Sequence, residues 1–364
     1  MLRLTTIALL TSMFAIVVWA ILGAESLQHI GGAPFDLLAV HAAVESWLNG
    51  HDPYQMRYAE GLTIFYYPPW ALPMLSPFGL LEPDTFRKAA FITSILLIVG
   101  SALLIASLLP RSHRPLAWFL AAIFLPCWVT LKLGQISPLL LGALALSGYL
   151  FARCRNSIVG SLVLLPLFLK PHLAAPVYLF VVARSIRARD GTSAFALLGA
   201  CSFLVALSLV VDRGLFTSYL GAWENAPFRW ETPTLAALLR WKGGFTSELI
   251  APVIWILGCC AAVWIERRES SSARGLYFSA AFSVACAPYI WTYDFLLLLP
   301  AVIQLSCRGP AWTRVAMIAA TATLLLVPFS SFFEHWWFPW SVIACLAGSD
   351  FAPGRTTIRK DITS

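Results

Sequence analysis

Charged side chains are scarce in this chain of 364 residues: Asp, Glu, Lys and Arg make up 12%, while apolar residues reach 59%. Soluble domains carry about twice that share of charge. A mean hydropathy of +0.77 therefore excludes a water-soluble enzyme and a disordered chain alike. The period-2 alternation of membrane barrel strands is also missing. Lipid tolerates only helices or closed barrels, so the long apolar runs imply an all-α integral membrane protein. The eight cysteines form no Cys-x-x-Cys pair and no Cys/His spacing, which argues against zinc and against a disulfide framework. No aspartate belongs to an Asp-x-Asp pair, and no Gly-Lys dipeptide marks a P-loop. The net charge of +7 has no basic cluster interleaved with stacking aromatics behind it, so no nucleic-acid partner is expected.

Breaking the apolar runs at charges, prolines and glycines gives about twelve candidate spans in a single transmembrane unit, residues 1–364. They are 5–23, 88–109, 116–132, 136–152, 158–169, 172–184, 194–211, 250–265, 275–289, 291–306, 312–328 and 335–349. Several fall short of the ~20 residues that cross a bilayer comfortably, which implies tilted, broken or partial helices. The first run, after Arg3, is longer than a signal-peptide core and reads as a retained helix. The proline-rich stretch 67–82 reads as interfacial and stays outside the count.

The Lys/Arg bias of the loops puts both termini in the cytoplasm and the protein in the plasma (inner) membrane, with a cytoplasmic tail at 350–364. Sixteen of the 25 basic residues then lie inside with five acids, and nine lie outside with 13 acids. The faces carry +11 and −4. Two long segments, 24–87 and 212–249, fall on the acidic outer side and are rich in Trp, Tyr and Pro, so any chemistry is expected there. The inner loops, mostly Arg and Ser, read as orientation signals.

The first outer loop contains Asp36, ahead of a helical stripe over residues 37–48 that would lie along the interface, then Asn49-Gly50-His51-Asp52-Pro53-Tyr54 and Tyr67-Pro68-Pro69. Asp36 reads as a helix N-cap, as a general base just outside the bilayer, or as both. Asp52-Pro53 reads as a turn. His41 and Glu45, at i,i+4, suit a solvent-side pair.

Further along stand Gly134-Gln135-Ile136-Ser137, Leu169-Lys170-Pro171-His172 and Pro288-Tyr289-Ile290-Trp291-Thr292-Tyr293-Asp294. With the first-loop Asp, the Asn-Gly-x-Asp-Pro-Tyr run and Tyr-Pro-Pro in this order, the sequence resembles glycosyltransferase family 87, membrane mannosyltransferases of the GT-C superfamily, over most of residues 30–300. The resemblance implies a GT-C-type bundle and a donor whose sugar, mannose or another hexose, is joined through phosphate to a polyprenol. It also implies transfer on the extracytoplasmic side to a glycolipid, polysaccharide or protein, with inversion from a β-linked donor to an α-glycoside. It places Asp36 where the family has its catalytic aspartate.

A polyprenyl phosphate leaving group calls for fixed cations and donors at the membrane surface. Lys170, with His172 beside it, is the first choice, and Lys132 is weaker; each also reads as a side chain snorkelling to the interface. Gln135 reads as a sugar ligand or a turn cap, and Asp294 with Tyr293 as sugar or acceptor ligands or a structural hydrogen bond. Trp230 and Glu231 in the second outer loop suit an acceptor or a membrane aromatic belt. No metal or other cofactor is expected. The competing class is a transporter or lipid flippase, which predicts two related halves, and the chain has no convincing internal repeat.

Overall fold

The computed structural model describes residues 36–55, 65–153, 157–222, 232–243, 249–326 and 335–350, and among these every regular element is a helix. The chain begins with α1 (Asp36–Leu48) and the short α2 (Ala71–Leu75), which runs into a 3-10 turn at Ser76–Leu80. Then follow α3 (Pro83–Ser107), α4 (Arg114–Ile123), α5 (Leu125–Leu133), α6 (Ser137–Arg153), α7 (Ser157–Leu162) and α8 (Pro171–Ala188). α9 (Thr192–Val211), α10 (Gly214–Ala222), α11 (Leu235–Gly243) and α12 (Ile250–Arg268) come next. The last are α13 (Ser272–Ala285), α14 (Leu299–Arg308), α15 (Ala311–Leu326) and α16 (Trp337–Asp350).

Three of these helices, α3, α9 and α12, are long and apolar enough to cross a bilayer, and a fourth span arises if α4 and α5, bent by 42°, count as one. The bend falls where Pro126 enters the first turn of α5 and cannot donate to the preceding helix. The twelve candidate spans, several expected to be tilted, broken or partial, are therefore represented among the described residues by three or four helices of full spanning length and by shorter apolar pieces. Run 158–169 divides into α7 and a 3-10 segment at Leu165–Leu169, and run 291–306 divides into a 3-10 segment at Thr292–Leu298 and α14. Prolines 166 and 300 stand at the first turn of the second piece in each. An apolar run records burial, not continuity of the hydrogen-bond ladder. Span 5–23 and the tail after Asp350 lie outside the described residues.

The three long helices turn large side chains outward: Phe195 and Val210 of α9 are 82% exposed, and Ile92 and Leu96 of α3 and Ile256 and Leu257 of α12 are more than half exposed. Apolar faces of that extent are stable against lipid, not water. Ser94 and Ser208 of these helices fold their hydroxyls back onto the carbonyls of Ala90 and Leu204, both at 2.8 Å. The protein is an all-helical, multi-pass membrane protein.

Behind that shell, α3 packs along α6, while α8, α12 and α13 pack against one another. α13 forms the centre, with Tyr277 fully buried against Gly148 of α6 and its hydroxyl 3.4 Å from the Ala145 carbonyl. A second, smaller core gathers Leu37, Val40 and Val44 of α1 with Tyr54, Phe65, Leu72, Leu75 and Phe86. The apolar stripe of α1 is thus buried in protein and not laid on lipid as expected. His41 follows it inside: it is 2% exposed, its Nε2 lies 2.7 Å from the Leu81 carbonyl, and its Nδ1 stands 3.9 Å from exposed Glu45.

A Cβ at position 148 would enter the Tyr277 ring, and Tyr277 is packed on all sides. Gly148→Ala should therefore cost about 1–3 kcal/mol of stability. Thermal unfolding in detergent tests this, and a Gly148→Ala, Tyr277→Phe pair should recover part of the loss because the clash centres on the hydroxyl.

Candidate active site

One end of the bundle holds a cavity of about 360 Å³, within the range of small-molecule sites. Four short stretches, far apart in the sequence, bring their polar residues to it. Each arrives through a local break in helical structure.

Gly134 ends α5 in the left-handed conformation, φ 60°, where glycine pays no Cβ penalty. The turn sends Gln135 into the cavity, and the Gly134 carbonyl accepts a 2.9 Å hydrogen bond from the main-chain N–H of Leu37. That bond docks the start of α1 on the end of α5. Asp36, the first residue of α1, then meets Gln135, whose Nε2 donates to Asp36 Oδ2. Burial raises the Asp36 carboxyl from an ordinary 3.8 to about 6, against the opposing pull of the Gln135 hydrogen bond and the Lys170 charge.

Lys170 ends the 3-10 turn Leu165–Leu169, and Pro171 starts α8 with its fixed φ at the position that needs no N–H. The Lys170 ammonium donates to Asp294 Oδ1 at 2.6 Å and sits 4.9 Å from the centre of the Tyr293 ring. Asp294 is 2% exposed. Its Oδ1 also accepts from Ser137 Oγ at 2.9 Å, and its Oδ2 accepts from the Trp291 main-chain N–H at 3.3 Å. His172 lies one residue into α8, its ring 4.2 Å from that of Tyr289. Its Nε2 is buried in the cavity wall without a protein hydrogen-bond partner among the described residues.

The cavity therefore unites Asp36, Gln135, Lys170, His172, Tyr293 and Asp294. Lys132 does not line it: the residue is exposed on the last turn of α5, on the other side of Gly134. Trp230 and Glu231 lie outside the described residues. The sequence reading assigned no role to Tyr67, Tyr219, Tyr289 and Trp291, which add aromatic walls. Tyr67 and Tyr289 sat inside the recognised motifs, which was a usable signal. Tyr219 is placed by tertiary structure alone.

The neighbouring loop is held by Asp52. Its Oδ1 accepts from the Tyr54 main-chain N–H at 2.9 Å, and its Oδ2 accepts from Gln55 Nε2 at 2.9 Å and from Ser218 Oγ of α10 at 2.6 Å. The Tyr54 hydroxyl donates to the Tyr67 carbonyl at 2.8 Å, and Trp70 stacks on Phe168 at 4.5 Å while its Nε1 donates to the Phe168 carbonyl. The turn expected at Asp52-Pro53 is present and ties α10 to the cavity roof. No group of three His, Cys, Asp or Glu side chains capable of holding a metal gathers among the described residues.

Chemically, the site offers a carboxyl poised near neutrality, an ammonium held by a second carboxylate, an unsatisfied imidazole nitrogen and ring faces. That set suits proton abstraction from a hydroxyl beside a phosphate. A polyprenol-phosphate-mannose-dependent alpha-(1-2)-phosphatidylinositol mannoside mannosyltransferase of Mycobacterium tuberculosis (strain ATCC 25618 / H37Rv) is 24% identical over 373 residues, covering 87% of this chain and 83% of the relative. No solved structure matches. The model of glycosyltransferase family 87 matches residues 65–327, most of the chain and three of the four stretches that build the cavity, and the chain belongs to that family.

Proposed function

We propose that this hexosyltransferase moves mannose from a polyprenyl-phosphate-linked donor to an acceptor hydroxyl on the extracytoplasmic side, inverting a β-linked donor to an α-glycoside. The observation that carries this reading is the placement of Asp36, with its raised pKa, in one cavity with Lys170 and the unpartnered His172 nitrogen. Asp36 takes the proton of the acceptor hydroxyl as its oxygen attacks the anomeric carbon. The departing polyprenyl phosphate is met by Lys170 and His172. An ammonium has three N–H donors, and Asp294 engages one of them. Gln135 holds the Asp36 carboxylate in orientation, and the rings of Tyr67, Tyr289 and Trp291 offer faces to the sugar. Trp230 and Glu231 belong to the acceptor side. The acceptor is a glycolipid, polysaccharide or protein.

An apolar groove of about 500 Å³ supports a lipid donor. It lies between α3 and α6 and contains Leu139, Gly142 and Leu146, successive positions on the face of α6 that begins beside Ile136 of the cavity wall. Leu165, one turn before Leu169 of the same wall, lines it as well. Its residues Leu96 and Leu146 are exposed on the lipid side. A prenyl chain laid there keeps its phosphate at Lys170.

Purified protein supplied with a panel of polyprenyl-phosphate sugars should release polyprenyl phosphate fastest from the mannosyl donor. Asp36→Asn should lower kcat by about 100-fold or more. Failure of every lipid donor would overturn the donor class, and an unaffected variant would remove Asp36 from the chemistry. Because the base must be ionised, kcat/KM should be flat above about pH 6 and fall about tenfold per unit below it.

The same carboxyl is held more protonated in the fold than in the unfolded chain. Its contribution to stability is present below about pH 4 and lost as pH rises through about 6. At pH 7 Asp36→Asn should therefore melt no lower than the parent, which separates lost chemistry from lost structure. In the groove, a Cβ on Gly100 meets nothing within 4 Å. Gly100→Phe should raise KM about tenfold for a long-chain donor and leave a short, soluble analogue unchanged; equal effects on both would reject the groove as the chain's path.

A further inference from the structure

A second polar cavity, of about 230 Å³, lies where α7, α8 and α9 meet. It is smaller than the ~300–1,000 Å³ of drug-sized ligand sites. α8 connects it to the candidate active site: Lys170 stands just before that helix and Arg184 near its far end, about 21 Å apart at 1.5 Å per residue. The inner loops of Arg and Ser, which read in the sequence only as orientation signals, supply its polar wall.

The turn between α8 and α9 builds the cavity. Arg189 ends α8 in the left-handed conformation, φ 53°, and the Asp190 main-chain N–H donates to the Ser185 carbonyl at 3.1 Å. Asp190 Oδ1 accepts from the Thr192 main-chain N–H at 3.1 Å and from the Thr192 hydroxyl at 2.6 Å, which starts α9. Its Oδ2 has no protein partner among the described residues. Opposite stands Arg184, partly buried, with its guanidinium 5.8 Å from the centre of the Phe151 ring. That ring is itself fixed against Gly160, where a Cβ would meet it.

The Arg184 guanidinium has five N–H donors, yet among the described residues its contacts are the Phe151 ring and the field of Glu266, whose ion pair is with Arg187 at 2.8 Å. Arg184 and Asp190 line the same cavity without pairing with each other. Ser193, in the first turn of α9, is an independent sign of a ligand: it lines the cavity, is 4% exposed, and its Oγ is buried without a protein hydrogen-bond partner among the described residues. A simple anion would answer Arg184 and Ser193 but would sit against the Asp190 carboxylate. A ligand with an anion and a cation a few ångströms apart answers all three.

We propose that this cavity binds the zwitterionic headgroup of a phospholipid with a primary ammonium, as in phosphatidylethanolamine. The phosphate accepts from the Arg184 fork and the Ser193 hydroxyl at the positive end of the α9 dipole, and the ammonium donates to Asp190 Oδ2. The surroundings favour a lipid: Ile158 of α7 and Phe195 of α9, 39% and 82% exposed, each lie within two residues of a cavity serine and offer apolar faces to acyl chains. The site stands independently of the transfer reaction proposed above.

The test uses the full chain, delipidated in neutral detergent and reconstituted into nanodiscs of equal parts phosphatidylethanolamine, phosphatidylcholine and phosphatidylglycerol. Native mass spectrometry should find one phosphatidylethanolamine retained about tenfold over either of the others. Arg184→Gln should lower that retention about tenfold. Asp190→Asn provides the control for folding, because Asp190 is exposed and an asparagine oxygen still accepts from Thr192. This variant should melt with the parent in phosphatidylcholine discs and lose the preference for the primary over the quaternary ammonium. Equal retention of the three lipids, stronger retention of phosphatidylglycerol, or an unchanged preference in Asp190→Asn would overturn the proposal. Displacement of the bound lipid by millimolar phosphoethanolamine, with equal stabilisation, would overturn the lipid source in favour of a soluble phosphate.

Discussion

The buried contact between Lys170 and Asp294 is the constraint on which the site depends. An unpaired carboxylate 2% exposed would be costly, and so would an ammonium between two apolar runs. Together, with Ser137 and the Trp291 N–H supplying the remaining hydrogen bonds, they satisfy each other. The pair joins residues 124 positions apart and fixes the start of α8 against the 3-10 segment before α14. Removing either partner leaves a buried charge, so the pair acts less as a source of net stability than as a specification of where the two chain breaks sit.

Those breaks explain why the site is polar inside an apolar protein. An uninterrupted helix turns its backbone inward and offers only side chains. Here the ladder is interrupted after Gly134, before Pro171 and before the 3-10 segment at Thr292–Leu298, and each interruption delivers a polar residue. Asp36 differs from Asp294 in its compensation. Asp294 has a cation in direct contact, whereas Asp36 has a neutral amide and a more distant ammonium, so burial wins and its carboxyl rises to about 6. Two carboxyls in one cavity thus differ in environment, one anchored by a cation and one, in the proposed reading, left to accept a proton.

Much of this was legible in the sequence because the interruptions are written in it. Gly134, Pro171 and the aromatic run before Asp294 mark them, and the residues next to these marks were the ones singled out. Asp36 was visible because it precedes a helical stripe. What the sequence did not reveal was pairing at a distance. The reading weighed Lys170 against a phosphate or the interface and Asp294 against a sugar or a structural hydrogen bond, without naming either as the other's partner; the structure sets them against each other. Lys132 stood as a weaker candidate beside Lys170, and a left-handed residue separates it from the cavity; a handedness change has no spacing signature. The count of spans is likewise not settled by apolar composition, which measures burial among helices as well as contact with lipid.

The placement of charge gives the two ends of the bundle different physics. At the Asp36 end the charges are few and closely matched, so under the proposed reading an entering phosphate meets an ammonium already held by Asp294 and must share it. Sharing keeps the leaving group bound loosely enough to depart, because the cation's field is partly spent on a neighbour. At the other end Arg153, Arg274 and Arg308 line one cavity, and Arg274 pairs with Glu269. The net charge of +7 in a chain with so few ionisable residues is thus unevenly spread, with opposite charges paired at the Asp36 cavity and arginines gathered at the other end.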